Sequence, residues 1–303
     1  MPELPDVELY VEALRERVGG RRLEGCRIKS PFLLRTAVPP LAQAAGRPVA
    51  RVARLGKRVV LELGPSDRPG EGAWLALALH LMIAGRLHWK ARGAGLPRRT
   101  DLAALDFETG TLVLTEAGTK KRAALHLLAE ASALAALDRG GLEPLAADAQ
   151  AFAARLRAAP HTVKRALCDP RVLAGVGNAY SDEILHRARL SPLQRTANLD
   201  DGELARLHTA TQTVLGEWLA RLRAQAAGRF PEKVTAFRAG MAVHGRFGAP
   251  CPACGAPIQR ILRADSEVNY CPRCQTGGRI LRDRVLSQLL KDDWPSSLEE
   301  LEE

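Results

Sequence analysis

Four cysteines near the C-terminus constrain the fold more than any other feature of this 303-residue chain. They form two Cys-x2-Cys pairs separated by sixteen residues: Cys251, Cys254, Cys271 and Cys274. Two such pairs at this spacing are typical of a tetrahedral structural zinc site, which has no open coordination position. We therefore predict one structural Zn²⁺ that folds the module and performs no hydrolysis. The stretch between the pairs, 258–270, is predicted to be a β-hairpin.

The net charge favours a polyanionic partner. The chain has 44 Lys and Arg against 34 Asp and Glu, and its formal charge is +10. The last twelve residues hold six acidic and no basic side chains, so residues 1–291 carry +16. A solvated basic face is the alternative, but a charge of this size favours nucleic acid. No run of 18 apolar residues and no signal-peptide pattern appears, so we expect a cytoplasmic protein without a membrane partner, nucleoid-associated when bound to DNA.

The first eight residues carry a candidate catalytic pair. Removal of Met1, which a small second residue permits, would leave Pro2 with a secondary amine. Such an amine condenses with a sugar aldehyde to give a cationic iminium, and the adjacent Glu3 carboxyl can shuttle protons. The apolar pattern that follows predicts a helix ending at Gly19-Gly20, whose dipole would lower the pKa of the amine. An ordinary buried N-terminus before an amphipathic helix is the alternative.

The rest of the chain predicts an α+β fold. Short apolar runs between turns favour an antiparallel sandwich of about 130 residues, with strands at 23–28, 49–52, 59–63, 74–81, 86–89, 102–107 and 111–114. The Ala-rich stretch 125–157 predicts a helix with a break at Gly140-Gly141, and the pattern from 145 to 223 is helical throughout. We predict an N-terminal β-sandwich with an N-terminal helix (1–130), a linker (131–147), a helical domain (148–238), a zinc finger (239–280) and an acidic tail (281–303).

Several positions outside the N-terminus could contact phosphate. Lys57 occupies a turn between two predicted strands, where a solvated lysine is the alternative. His80 could donate to a phosphate or be a core histidine. The glycines of 175–180 would let the backbone approach a phosphate at the following helix N-terminus, with Lys164 and Arg171 nearby as counter-charges. An ordinary helical hairpin with glycine packing explains that stretch equally well.

Taken together, five motifs in the same order resemble the formamidopyrimidine-DNA glycosylase family of base-excision repair enzymes. They are Pro2-Glu3-Leu4-Pro5, Gly56-Lys57, the His80–Leu87 run, Gly175-Val176-Gly177-Asn178-Ala179-Tyr180 and the Gly245–Cys251 run that leads into the cysteines. The resemblance spans roughly residues 1–278. It implies a β-sandwich, a helix-two-turn-helix domain and a zinc-finger hairpin, with DNA bound between them.

The resemblance also implies a bifunctional DNA glycosylase/AP lyase, acting as a monomer on double-stranded DNA with a damaged base or an abasic site. Pro2 would attack C1′ of the flipped nucleotide, because that carbon is inaccessible in the stacked duplex. Glu3 would be the general acid and base, Lys57 would contact the phosphate near the lesion, and β,δ-elimination would cleave the strand. The resemblance implies that Asn178 holds the DNA backbone. We expect the other DNA contacts from His80, Lys164, Arg171, Arg260 and Arg263.

Several positions depart from the family pattern. Ser266 occupies the place of the finger arginine that grips the lesion-flanking phosphates, five residues before the third cysteine. Arg263 or Arg260 could replace that arginine from a shifted register. In the family, a methionine fills the gap that the flipped nucleotide leaves in the base stack. This chain has Ile83 at that position, with Met82 beside it.

Two further departures affect lesion recognition. In the family, a loop at the position of residues 116–122 carries an aromatic residue that wedges into the opposite strand. This chain lacks that aromatic residue and keeps only the positive charge of the loop. Asp6 stands where the family has a glutamate near the damaged base. These changes favour an altered lesion and opposite-base preference. They leave two alternatives open: a non-catalytic damaged-DNA-binding protein on the same fold, and an AP lyase with little base excision.

Overall fold

A computed structural model describes residues 1–66, 72, 74–232, 234–235, 238–263, 266–282 and 297–302. The chain forms two compact units. The sandwich unit contains Met1–Arg139 and Trp218–Thr235, and the helix–finger unit contains Gly140–Glu217 and Ala236–Glu303. Most of the predicted acidic tail, 283–296 and residue 303, lies outside the described residues.

The sandwich unit is built around the N-terminal helix and two four-stranded antiparallel sheets, as predicted. Helix α1 (Leu4–Val18) begins at a capping box, in which Asp6 Oδ2 accepts from the backbone N–H of Glu3 at 2.9 Å. The sheets have the strand orders β1-β6-β7-β5 and β2-β3-β4-β8. The strands are β1 (Leu23–Ile28), β2 (Val49–Leu55), β3 (Arg58–Leu63), β4 (Leu75–His80), β5 (Gly85–Lys90), β6 (Asp101–Phe107), β7 (Gly110–Glu116) and β8 (Ala124–Leu128).

The helix predicted over 125–157 is wrong in its first part. Residues 124–128 form strand β8, which pairs with β4, and helical structure is limited to α2 (Ala131–Ala135) and α3 (Ala149–Arg157). Leu125 and Leu127 are buried in the sandwich core. Pairing with β4 and burial of alternate side chains therefore outweigh the helix propensity of this Leu/Ala sequence.

The helix–finger unit begins with α3 and continues through α4 (Val163–Cys168), α5 (Asn178–Ala188) and most of α6 (Asp201–Ala226). The predicted finger hairpin is present as β9 (Gln259–Arg263) and β10 (Ser266–Tyr270), followed by α7 (Pro272–Thr276) and the short α8 (Glu299–Glu302). No helix within the described part of the chain is long and apolar enough to cross a membrane.

The Glu183 carboxylate fixes the segment that leads into the finger. It accepts from the backbone N–H groups of Ala242, Val243 and His244 at 2.7, 2.9 and 2.9 Å. Glu183 is almost fully buried, and a buried carboxylate needs such donors. The finger is thereby held to α5.

Candidate active site

Pro2 and Glu3 lie buried at the start of α1. The Glu3 side chain is 3% exposed and accepts from the backbone N–H of Asp6, the second half of the capping box. Met1 is present in the structure, so the nitrogen of Pro2 is an amide there. The amine chemistry predicted from the sequence therefore requires removal of Met1.

Burial lowers the pKa of the Met1 amine, which is the N-terminal amine of this structure, below its ordinary value. Glu3 opposes this shift, Arg86 adds to it, Asp6 opposes it, and Lys57 adds to it. Burial is the leading cause of this shift. The lowered pKa predicted for the Pro2 amine stays a prediction, because that amine is free only after Met1 is removed. Arg86 was missed as a site residue, although it belongs to the His80–Leu87 motif.

Lys57 lies in the two-residue turn between β2 and β3. Gly56 supplies the positive φ (59°) that such hairpin turns require. Arg54 anchors this turn: its Nε donates to Glu8 Oε1 of α1 at 2.6 Å, and its NH1 donates to the Gly56 carbonyl at 2.9 Å. This ion pair joins the helix that carries Pro2 and Glu3 to the hairpin that carries Lys57.

His80 lies at the end of β4, directly opposite Arg58 of β3. Burial lowers the pKa of His80 to about 4, with further lowering by Arg58, Lys57 and His126. The imidazole is therefore neutral near pH 7. A neutral imidazole can donate one N–H bond and accept another.

The turn after β4 presents Ile83 to solvent. Ile83 is 55% exposed, whereas Met82 is only partly exposed and has a φ of +52°. The turn ends at Gly85, where only glycine fits, because a Cβ there would lie 2.2 Å from the carbonyl oxygen of Leu81. Ile83 is therefore the better candidate of the two for filling the gap in the base stack, because its side chain is more exposed than that of Met82.

The neighbouring loop 117–122 is ordered by a buried carboxylate. Glu116, 1% exposed, accepts from the backbone N–H of Arg122 at 3.0 Å and from that of Ala123 at 3.2 Å. Lys120 and Arg122 are exposed. The loop therefore presents positive charge, as predicted, on an ordered backbone.

Lys164 does not fit its predicted role in DNA binding. Its side chain is 4% exposed. Its ammonium group donates to the Asn178 carbonyl at 2.6 Å, to Ser181 Oγ at 2.8 Å and to Asp182 Oδ1 at 2.6 Å. An ammonium group has three N–H donors, so none remains for a phosphate. We correct the prediction: Lys164 holds α4 to the start of α5.

Asn178 and Arg171 are more accessible. Asn178 begins α5, and its Nδ2 donates to the Glu267 carbonyl of β10 at 2.9 Å. Arg171 is exposed, but its NH2 lies 2.8 Å from Asp169 Oδ2. This guanidinium lowers the pKa of the Asp169 carboxyl. The positive charge of Arg171 is thus partly balanced, while Asn178 connects α5 to the finger hairpin.

The two finger arginines lie on opposite faces of the hairpin. Arg263 pairs directly across the strands with Ser266, and Arg260 pairs with Asn269. Directly paired residues project from the same face of a two-stranded sheet, whereas residues three apart on one strand project from opposite faces. Arg263 is therefore on the same face as Ser266, and Arg260 is not.

The four finger cysteines fit a zinc ion. Their sulfur atoms all lie within 4.8 Å of one another. Cys251 Sγ lies 3.9 Å from Cys274 Sγ, and Cys254 Sγ lies 3.4 Å from Cys271 Sγ. Tetrahedral Zn–S bonds of about 2.3 Å require S···S distances of roughly 3.8 Å. The Nε2 atom of His186 lies 3.2 Å from Cys251 Sγ, where it can support that ligand from α5.

Three family models match successive parts of the chain. They are the formamidopyrimidine-DNA glycosylase N-terminal domain over residues 1–124, its H2TH domain over 141–226, and the zinc finger found in FPG and IleRS over 248–277. The zinc-finger match and the sulfur geometry agree on one structural zinc.

Relatives match nearly the whole chain. The formamidopyrimidine-DNA glycosylase of Chloroflexus aurantiacus is 33% identical over 286 residues, covering 91% of this chain and 98% of that protein. The Lactococcus lactis enzyme in complex with DNA containing FAPY-dG has a TM-score of 0.77 and 25% identity, covering 90% of this chain and 100% of that one. Its complex with abasic-site DNA has a TM-score of 0.77 and 26% identity, covering 90% and 99%. The chain belongs to the formamidopyrimidine-DNA glycosylase family.

Proposed function

We propose that this DNA glycosylase of base-excision repair uses the amine of Pro2, exposed by removal of Met1, to attack C1′ of a damaged or abasic nucleotide. The observation that carries the proposal is the position of Pro2 and Glu3, which are buried next to each other at the start of α1. Burial, Arg86 and Lys57 lower the pKa of the Met1 amine in this structure, and we expect the same surroundings to favour the neutral form of the Pro2 amine once Met1 is removed. AP lyase activity is part of the family, and it requires such a nucleophile.

The reaction follows from these groups. At an abasic site, the neutral amine adds to the C1′ aldehyde, and loss of water leaves an iminium. At a damaged nucleotide, the C1′–N bond to the amine forms as the bond to the base breaks and the base leaves with that electron pair. The C1′–O4′ bond of the sugar then breaks, and the nitrogen lone pair forms the C1′=N⁺ bond of the same iminium. Glu3 transfers the protons, including the one that O4′ takes up as the ring opens. The iminium acidifies the C2′–H, so proton loss expels the 3′ phosphate, and a second elimination expels the 5′ phosphate.

We assign the phosphate contacts to Lys57, His80, Arg171, Asn178 and Arg263, the finger arginine on the same hairpin face as Ser266. The neutral imidazole of His80 supplies an N–H donor, while Lys57 supplies charge. Such contacts position the duplex without reading its sequence. The proposal also includes the predicted domains: the β-sandwich (1–130), the linker (131–147), the helical domain (148–238), the zinc finger (239–280) and the acidic tail (281–303). It includes association with the nucleoid when the protein is bound to DNA.

Turnover on two duplexes tests the function. The purified protein should cleave an excess of a duplex with one abasic site, and it should release free base from a duplex with one formamidopyrimidine lesion. A protein that binds both duplexes without turnover would overturn the proposal in favour of a binding protein. The loop 117–122 contains no aromatic residue, which favours an AP lyase as the second candidate. Cleavage of the abasic duplex without base release would identify that activity.

Arg263 should supply the phosphate contact that is lost at Ser266, since the two residues face each other on the same side of the hairpin. We expect Arg263→Gln to weaken duplex binding and to reduce the slope of log K against log salt by about one. Titrations at several salt concentrations measure both quantities. Arg206→Gln removes an exposed charge from α6 of the same unit and is the control.

The double variant Arg263→Gln/Ser266→Arg moves the charge across the strand pair. It should restore the affinity and the salt slope. If the double variant binds as weakly as Arg263→Gln alone, the two positions do not serve the same phosphate.

Loss of the Arg54–Glu8 ion pair should reduce the rate of strand cleavage. Arg54 is 8% exposed, and its loss leaves the Glu8 carboxylate and the Gly56 carbonyl without their donors. We expect Arg54→Gln to destabilise the fold by about 2 kcal/mol and to lower kcat, because the Lys57 turn loses its connection to α1. Arg51→Gln breaks an exposed pair with Glu62 and should change stability by less than about 0.5 kcal/mol. Equal kcat values for the two variants would contradict the positioning role.

Arg86→Gln should move the acid limb of the pH–rate profile to higher pH. Arg86 lowers the pKa of the Met1 amine in this structure, and we expect it to lower that of the Pro2 amine in the same way. Its removal should therefore raise the pKa of the nucleophile and protonate more of it at a given pH. The rate of borohydride trapping on a saturating abasic duplex, measured against pH, reports this shift. Arg92→Gln, at an exposed pair with Glu24, is the control. An unchanged limb for Arg86→Gln would contradict the electrostatic account.

A further inference from the structure

An exposed aromatic residue on the finger has no part in the chemistry above. Phe247 is 51% exposed. It follows Gly245 (φ 68°) and precedes Gly248 (φ 76°), both in the left-handed region that glycine adopts at little cost. The Gly245 N–H donates to Asn269 Oδ1 at 2.7 Å, and the Gly248 N–H donates to the Ile258 carbonyl at 2.9 Å. The ring is therefore presented to solvent by a loop that is fixed at both ends.

Arg260 stacks on this ring. Its guanidinium carbon lies 4.3 Å from the centroid of the Phe247 ring. Arg260 NH1 also lies 3.5 Å from Glu267 Oε2. Leu262, two residues along β9 and on the same face, is 37% exposed. Phe247, Arg260 and Leu262 together form an exposed surface that combines an aromatic ring, a planar cation and an apolar side chain, which we call the finger platform.

The chemistry of the finger platform suits an unpaired nucleobase. Aromatic rings and arginine guanidinium planes are the groups on which proteins stack splayed or single-stranded bases. The surrounding charge is complementary to the strand that would carry the base, because Arg246, Arg263 and Arg273 outnumber the acidic residues of the finger, Asp265 and Glu267. Phe32 of the sandwich unit is more exposed, at 78%, yet within the described ranges no guanidinium stacks on it.

We infer that the finger platform is a binding site for an unpaired base of single-stranded DNA, separate from the reaction at C1′. One base would stack on the Phe247–Arg260 pair, and the positive charge of the finger would attract the phosphates on either side of that base. The site adds affinity where the DNA near a lesion has a single-stranded stretch, such as a gap or an overhang. It requires no base sequence, because every base has a π-face.

Binding of single-stranded oligothymidine to the full-length, zinc-loaded protein tests this inference. We expect Phe247→Ala to weaken that binding by roughly five-fold or more with an unchanged salt slope, because no charge is lost. Phe247→Trp should retain the affinity. Phe32→Ala removes an equally large exposed ring from the other unit and should have no effect.

The affinity for a blunt-ended, undamaged duplex distinguishes the possible outcomes. Phe247→Ala should bind this duplex with the same affinity as the wild-type protein. An equal loss of affinity on the duplex and on the single strand would overturn the inference, and so would an unchanged affinity for the single strand. Cleavage of a blunt abasic duplex by Phe247→Ala should be unaffected, so failure of the stacking site is distinguishable from failure of the proposed enzymatic function.

Discussion

Replacement of Glu3 by glutamine should reduce the rate of base excision by about 10²- to 10⁴-fold, the usual contribution of a positioned general acid or base. Glutamine keeps the carbonyl oxygen that can accept from the backbone N–H of Asp6, so the capping box at the start of α1 can persist. The loss would therefore reflect proton transfer and not folding. Release of free base under single-turnover conditions measures it.

Glu16→Gln is the matched control for Glu3→Gln. It neutralises a carboxylate on the same helix whose side chain is 69% exposed, and it should leave excision unchanged. The thermal midpoints of both variants should lie close to that of the unchanged protein. If Glu3→Gln excises base at the normal rate while remaining folded, Glu3 is not the general acid or base.

Removal of zinc, or Cys271→Ala, should abolish tight binding to damaged duplexes. The zinc ligands belong to a small finger core together with Val243, Ile258 and Leu298. A core of this size cannot replace the roughly 10–16 kcal/mol that a structural zinc supplies. Unfolding of the finger would remove the arginines of the hairpin from their positions. We expect duplex affinity to fall about ten-fold or more and the salt slope to decrease by about one for each lost contact.

Cys168→Ala is the control for the zinc experiment. Cys168 ends α4, away from the four ligands, and its nearest polar partner is Ser181 Oγ at 3.1 Å. It should retain one equivalent of zinc and normal affinity. A zinc-free protein that still binds the abasic duplex with full affinity would contradict the structural role of the metal.

Features encoded by local spacing could be predicted from the sequence. The two Cys-x2-Cys pairs predict the metal site and the hairpin between them because turn and ligand geometry depend on a few neighbouring residues. The first turn of α1 is predictable for the same reason, since Pro5 and the following apolar pattern act locally. Helix α5 begins at Asn178, three residues before its predicted start at Ser181.

Features that depend on distant partners could not be predicted. Lys164 appears as a surface cation in the sequence, but Ser181 and Asp182, its partners, lie 17 and 18 residues further along the chain. Strand β8 is defined by its pairing with β4 and not by its own Leu/Ala composition. The position of Arg263 opposite Ser266 depends on the register of the hairpin, which the composition of the turn alone does not determine.

Borohydride trapping on a duplex with one abasic site tests the central claim most directly. Protein confirmed by mass spectrometry to lack Met1 is incubated with the duplex and reductant, digested, and mapped. We predict a covalent adduct on the peptide that begins with Pro2, formed through its amine. A protein that binds the duplex but gives no adduct, or an adduct mapped to a lysine such as Lys57, would contradict the proposal that the Pro2 amine is the nucleophile.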